Sequence, residues 1–200
     1  MDRLARATGS KAHFVPTARN WMSPLTGPAW ARRPHLAGSW EGGGNMVLVR
    51  ERAGLEVSGS AHAVLTRVPE RRVVQFVRFG DGPDLYNLHA STNPERAARD
   101  VLAAARFAVA RSGSRPFVFG GDLNCRPVAG HPFTELSGRF GLSSPPPGMG
   151  GSIDHLLARG LGVIEPPRAL EPERREVVDR RSGRLVRLSD HAPVVGLFGA

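Results

Sequence analysis

The hydrophobic positions of this chain fall into short runs punctuated by glycine, proline and charge, with one long helical exception. Met46-Val47-Leu48-Val49, opened by Gly42-Gly43-Gly44, has the pattern of a short buried strand. Residues 55–68 and 71–79 are rich in Val, Leu and Phe, and Pro69-Glu70-Arg71 between them predicts a hairpin turn. Asp81-Gly82-Pro83 marks another turn, after which Leu85-Tyr86-Asn87-Leu88 predicts a strand. Pro116-Phe117-Val118-Phe119 is fully apolar and ends in Gly120-Gly121-Asp122. Residues 143–151, SSPPPGMGG, predict a loop leading into Ile153-Asp154-His155-Leu156-Leu157. Glu176-Val177-Val178 and Arg184-Leu185-Val186 flank Ser182-Gly183 as a charged hairpin, and Pro193–Phe198 closes the chain as a strand. Residues 1–44 are the least regular, with scattered Pro, Gly and Trp21, Trp30 and Trp40, although Thr8-Gly9 is placed to end a short first helix.

The helical exception is 93–111. Asn93 is a good N-cap, Pro94 suits the first helical position and Glu95 the positive end of the dipole. Ala97, Val101, Ala104, Ala105 and Ala108 form one apolar face, and Gly113 follows as a stop. Strands, one long helix and strands again predict an α/β protein with largely antiparallel sheets, rather than a βαβ repeat.

At 200 residues and 40% hydrophobic, the chain suits a single soluble domain with a sizeable core. It holds no apolar run of the roughly 20 residues a membrane helix needs, and its first residues have no signal-peptide core. One cysteine, Cys125, excludes an internal disulfide and a multi-cysteine zinc site. The net charge of +9 suits a polyanionic partner, nucleic acid before others. Among the 27 basic residues only Lys11 is a lysine, which also matches a GC-rich coding bias and excludes a P-loop. No Gly-x-Ser-x-Gly elbow occurs at a strand-to-helix turn.

Chemistry gathers at strand ends. His89 follows Tyr86-Asn87-Leu88, Asp122 and Asn124 follow the Gly120-Gly121 pair, Asp154 lies in an apolar strand, and Asp190-His191 precede Ala192-Pro193-Val194-Val195. Strand ends bring distant residues to one rim, and such a rim is rich in the hard oxygen ligands that Mg²⁺ takes. Its histidines titrate near neutrality and can move protons. Each piece also has a plainer explanation. Asp122-x-Asn124 fits an Asx-turn, Ser189-Asp190 a loop cap, and His89 a half-buried histidine. Asp154 is harder to explain so, because a buried carboxylate is costly unless paired. His155 alternates to the opposite face as a structural residue. Cys125 as a nucleophile lacks a helix start or a basic partner to activate it.

In order, these segments resemble the endonuclease/exonuclease/phosphatase superfamily, the DNase I-like and exonuclease III-like fold. The resemblance runs over residues 44–198: Gly44-Asn45-Met46-Val47-Leu48, Leu88-His89-Ala90-Ser91, Gly121-Asp122-Leu123-Asn124, Ile153-Asp154-His155 and Ser189-Asp190-His191-Ala192-Pro193-Val194. It implies a four-layer α/β sandwich of two mainly antiparallel sheets in one domain, and a Mg²⁺-dependent phosphoesterase, with Mn²⁺ as a substitute. In the family's terms Asp122 orients or deprotonates the attacking water. Asn124 holds a phosphate oxygen and helps position the metal. Asp190 is a metal ligand, with Asp122 and Asn124 beside it. His191, oriented by Asp154, contacts the scissile phosphate, and His89 is the second acid/base or phosphate contact.

The sequence departs from the family at its start. Members begin with a strand carrying an asparagine, then a helix and a strand ending in a Gln-Glu whose glutamate is the principal metal ligand. Neither segment stands before the match, a piece of roughly 40 residues by ordinary element lengths. Met1–Gly9 resembles the helix that follows that glutamate. The expectation is therefore a DNase I-like fold truncated at its N-terminus, with exposed apolar edges; Glu41 and Glu51 are the nearest upstream acids, but neither sits in a Gln-Glu context after an apolar strand. The expected substrate is a phosphoester, nucleic acid before others, acted on by a monomer. The alternatives are an inactive remnant that binds polyanions, and a lipid-headgroup phosphatase or sphingomyelinase-like enzyme. A cytoplasmic location is the default expectation, with secretion open if further residues precede Met1.

Overall fold

The computed structural model describes residues 2–17, 43–68 and 70–199. Trp21, Trp30, Trp40, Glu41 and the proline of the 69–71 turn lie outside the described residues. Helix α1 (Asp2–Thr8) leads through Gly9 into β1 (Ser10–Pro16), which pairs antiparallel with β2 (Gly44–Arg50). Next come β3 (Val57–Thr66), β4 (Arg72–Phe79) and β5 (Asp84–His89), then α2 (Pro94–Ser112) and β6 (Phe117–Asp122). The short α3 (Phe133–Phe140) precedes β7 (Asp154–Arg159), β8 (Gly162–Ala169), the β9 (Glu176–Val178) and β10 (Leu185–Arg187) hairpin, and β11 (Val194–Gly199).

The main sheet has the order β3-β4-β5-β6-β7. Every pair is antiparallel except β5–β6, which α2 connects as one βαβ crossover. The remaining strands form two-stranded antiparallel sheets, β1–β2, β8–β11 and β9–β10.

Helix α2 is built as its sequence predicts. The Asn93 side chain accepts the Arg96 N–H, Pro94 opens the first turn, and Gly113 ends the helix by donating to the Val109 carbonyl. Its face of Ala97, Val101, Ala104, Ala105 and Ala108 packs on Val74, Phe76, Tyr86, Leu88, Phe117 and Phe119. The small alanines let the helix lie close to a sheet face carrying aromatics. The other face of the sheet carries a second core of Val47, Val49, Val77 and Phe79 under β2. A polar seam runs beside it. Asn45 donates to the Val73 carbonyl at 3.0 Å, and Gln75 donates to the His13 carbonyl at 2.8 Å. Strand β4, buried almost throughout, is thus shared by both cores.

A buried polar network locks the far end of α2. Asp84 is fully buried at the start of β5 and accepts two hydrogen bonds from Arg78, at 2.9 and 2.8 Å. The Ser112 hydroxyl donates to it at 2.6 Å and shares a 2.7 Å bond with the Tyr86 hydroxyl. Arg115 lies 3.6 Å away and donates to the carbonyls of Phe79, Gly80 and Gly82. Burial alone would raise the Asp84 carboxyl, but Arg78, Ser112 and Arg115 together hold it below the usual aspartate range.

Strand β6 ends in two glycines because the chain is crowded there. A Cβ on Gly120 would overlap the His155 carbonyl of β7. Gly121 has φ +123°, and a Cβ there would overlap the Leu88 carbonyl of β5. Strands β8, β9, β10 and β11 leave apolar side chains in water, among them Ile164, Val178, Leu185 and Leu197.

Two outcomes follow. Asp84→Asn keeps the shape and removes the charge that two arginines face, so urea unfolding at pH 7 should show a loss of about 3 kcal/mol. Because the folded carboxyl is held low, its contribution is present above the unfolded value near pH ~4 and is lost as pH falls through the folded one. The gap between wild type and variant should therefore narrow on acidification, and a constant gap would mean the network contributes no electrostatic stability. Gly121→Ala should cost about 2 kcal/mol or more from strain and overlap. A melting temperature equal to wild type would show that β6 can relax.

Candidate active site

Strand pairing sets three of the sequence-predicted residues in one row. His89 ends β5, Asp122 ends β6 and Asp154 begins β7. His89 is in register with Asp122, and Asp122 with Asp154. Leu88 and Leu157 belong to the core under α2, so alternation turns His89 and Asp154 to the opposite face. His89 Nε2 lies 3.3 Å from Asp122 Oδ2. His191, on the loop before β11, completes the row with Nδ1 2.7 Å from Asp154 Oδ2.

Asp122 uses its other oxygen locally. Oδ1 accepts the Asn124 N–H at 2.9 Å, an Asx-turn, and Asn124 takes a left-handed backbone with φ 49°. The Asn124 side chain donates to the Ala90 carbonyl at 3.1 Å, which ties the loop after β6 to the end of β5. The Asx-turn and the chemical placement thus coexist, since one oxygen makes the turn and the other faces His89. The loop cap before His191 is also present, its N–H donating to Ser189 Oγ at 3.1 Å. Asp190 is exposed, and its carbonyl accepts from Arg175 at 2.6 Å.

Ligand atoms of Asp122, Asp154 and His191 all lie within 4.8 Å of one another. Asp190, which the sequence resemblance makes a metal ligand, is not part of that cluster. An open cavity of about 290 Å³ lies over Asp122, Asp154, His191, Ser189 and Pro193. Glu51 is exposed in the turn after β2 and lines a different cavity with Lys11 and Arg50, while Glu41 is outside the described residues.

The two histidines of the row have opposite environments. The hydrogen bond to Asp154 raises His191, burial opposes it, and the charges of Asp154, Asp122 and Asp190 add to the rise. Burial lowers His89, and the nearby Arg72 charge lowers it further, against the pull of Asp122 and Glu70. Burial pushes the Asp154 carboxyl up, with the His191 bond opposing. His191 is therefore the more readily charged of the two.

Other candidates are structural by geometry. His155 is buried and its Nε2 lies 2.9 Å from the Ser152 carbonyl and 3.2 Å from that of Cys125, with Phe133 edge-on at 4.9 Å. Cys125 is buried, and burial with the charges of Asp122 and Asp100 pushes its thiol up to about 11, the reverse of activation.

Sequence reasoning passed over Asp100. Its carboxylate, 2% exposed, accepts the Ser91 N–H at 2.9 Å, the Ser91 hydroxyl at 2.6 Å and the Thr66 hydroxyl at 2.6 Å. It fastens the chain two residues after His89 to α2 and to the end of β3. The signal was available, because Asp100 interrupts the apolar face between Ala97 and Ala104.

Comparison with known proteins bears on the family and the fold. A family model described as "Endonuclease/Exonuclease/phosphatase family" matches residues 4–191. No curated protein matches the sequence. Among solved structures, an endonuclease/exonuclease/phosphatase family protein from Bacteroides thetaiotaomicron is 14% identical with a TM-score of 0.61, over 94% of this chain and 74% of that one. TDP2 from Caenorhabditis elegans is 15% identical at TM-score 0.55, over 99% of this chain and 67% of that one. The human Nocturnin catalytic domain, solved with a bound sulfate anion, is 18% identical at TM-score 0.54, over 82% and 66%. At such identities these likenesses concern the fold, which is the DNase I-like α/β arrangement of mainly antiparallel sheets. With the family match spanning nearly its whole length, the chain belongs to the endonuclease/exonuclease/phosphatase family, whose members are generally hydrolytic phosphoesterases.

Proposed function

We propose that this chain hydrolyses phosphodiester bonds, with nucleic acid as substrate and a divalent cation, Mg²⁺ or Mn²⁺, as cofactor. The observation that carries the reading is the row His89–Asp122–Asp154–His191, in register across three strand ends. It puts two carboxylates and His191 around one open cavity, with His89 3.3 Å from Asp122.

The donor chemistry suits such a cation: carboxylate and amide oxygens at a site open to water and to a substrate phosphate. Asp122 and Asp190 would hold it, with Asn124 beside them. Asp154 is assigned instead to orienting His191, which its Oδ2 meets at 2.7 Å. Bound there, the cation would neutralise the phosphate's charge toward attack.

The chain's own residues divide the proton work. Asp122 orients the attacking water and accepts its proton, with His89 at 3.3 Å to share it. The Asp154 bond fixes His191 with Nδ1 turned inward, which leaves Nε2 to meet the scissile phosphate and protonate the leaving oxygen. Asp154 is in this scheme a positioning residue. Asn124 presents its amide to a phosphate oxygen while its backbone holds Asp122 in place.

The test is hydrolysis of bis(p-nitrophenyl) phosphate and of a single-stranded oligonucleotide, with Mg²⁺ or Mn²⁺ and with EDTA. Activity should require the cation, vanish in Asp122→Ala, and fall about 100-fold or more in His191→Ala. Full activity in Asp122→Ala sinks the assignment. Binding of nucleic acid without turnover under any cation would instead identify a polyanion-binding protein.

A further inference from the structure

Between the end of β3 and α2 lies a second cavity whose walls are basic. It measures about 440 Å³ and is lined by Leu65, Thr66 and Val68 on one side and by Arg96, Arg99 and Arg106 of α2 on the other. The three arginines are exposed and share one side of the helix. From Arg96 to Arg106 the helix rises about 15 Å. Among the described residues none of the three forms an ion pair with a carboxylate. Asp100 also borders the cavity, but its carboxylate is occupied by Ser91 and Thr66. Three guanidinium groups therefore stand around a concavity with no protein anion assigned to them.

The groove lies on the α2 side of the sheet and the row on the opposite face, but both stand at the same end of the strands. Thr66 pairs in register with Arg72, at the same end of the sheet as His89. From β3 to β5 is two strand spacings, about 10 Å. Asp100 joins the two places physically, bonding Thr66 in the groove and Ser91 just after His89.

We propose that the groove between β3 and α2 binds the backbone of a nucleic-acid strand, holding phosphates that flank the one at the Asp122 row. The inference rests on the phosphodiesterase reading for the identity of that row, and deepens it by assigning the polymer's path. Guanidinium forks match phosphate oxygens, and a strand carries one charge per about 3.4 Å of duplex axis, so several phosphates fall within reach of three arginines spread along the helix. A small phosphoester, by contrast, would fill the row and leave the groove unused. A lipid surface is disfavoured because the arginines line a concavity rather than a convex or flat face.

The experiment compares wild type with a Gln triple variant (Arg96→Gln, Arg99→Gln, Arg106→Gln) and the matching Lys triple variant, each checked for an unchanged melting curve. Binding of a fluorescein-labelled single-stranded DNA is measured by anisotropy in EDTA across a salt series, so no cleavage intervenes. The Gln variant should lose about 100-fold in affinity at 0.1 M salt, with the salt slope reduced by about 2, while the Lys variant keeps the slope. Hydrolysis of bis(p-nitrophenyl) phosphate should be the same in all three. Equal affinity and slope in the Gln variant overturn the proposal. So does a parallel loss of small-ester hydrolysis, which would place the arginines in the reaction site itself. Wild type that binds phosphatidylserine vesicles but not DNA overturns it in favour of a membrane surface. If wild type hydrolyses no diester yet the Gln variant still loses DNA binding, the phosphodiesterase reading fails and the groove stands.

Discussion

Strand β6 must pair with β5 and β7 at once while ending in Asp122, and the rest of the site depends on that pairing. Adjacent strands lie about 4.8 Å apart, so in-register side chains on one face are forced into contact. The row therefore brings Asp122 and Asp154 together. Two carboxylates about 5 Å apart repel by about 3 kcal/mol at an effective dielectric near 20. Each carboxylate has a histidine as its outward neighbour, His89 at 3.3 Å and His191 at 2.7 Å. The alternation of base, acid, acid and base is thus a consequence of register as much as of chemistry. The glycines before Asp122 make it possible, because any side chain at those positions would drive β5 or β7 away.

Helix α2 keeps that register from drifting. It is fastened at both ends by buried aspartates that belong to different elements. At the row's end Asp100, on the helix, takes hydrogen bonds from Ser91 and Thr66. At the far end Asp84, on β5, takes them from Ser112 and Arg78. Between these points the contact is apolar and lets the helix slide, since hydrophobic burial has no directional preference. The aspartates supply the direction. Because Asp84 and His89 bound the same strand, the two fastenings fix β5 along its length.

The parts of this architecture that the sequence made legible are those with a strong local code. Asn93, Pro94 and Gly113 mark α2 at both ends, and the apolar runs of β4, β5 and β6 are unambiguous. Strand β1 was not legible, because Ser10–Pro16 is mostly solvent-facing and owes its form to pairing with β2. Helix α3 has two turns and a glycine inside, too short for periodicity to speak. Strand β8 carries Pro166 and Pro167, which usually argue against a strand. It is tolerated because β8 pairs only with β11, and the register slips on the facing residues between Val195 and Phe198. At the site, His89, Asp122 and Asp154 were readable as strand-end residues. Their direct register was not, since it is a property of three separated segments. Asp190 shows the complementary limit: its motif is clear, but its exposed side chain lies outside the cluster made by its neighbour His191.

Electrostatics explain why a basic chain would carry an acidic row. The net charge of +9 gives the whole molecule an attraction for polyanions at long range. At the row the sign reverses, with Asp122, Asp154 and Asp190 within a few residues of the two histidines. A phosphate drawn in by the global field would be repelled there unless the local charge were compensated. His191, raised by Asp154, supplies part of that compensation, while His89, lowered by burial and by Arg72, supplies little. On the proposed reading, a divalent cation on the carboxylates would supply the rest. The same logic separates the row from the arginine groove. On the proposed reading the groove attracts phosphate without any cation, so EDTA should remove hydrolysis while leaving the binding of the strand in place.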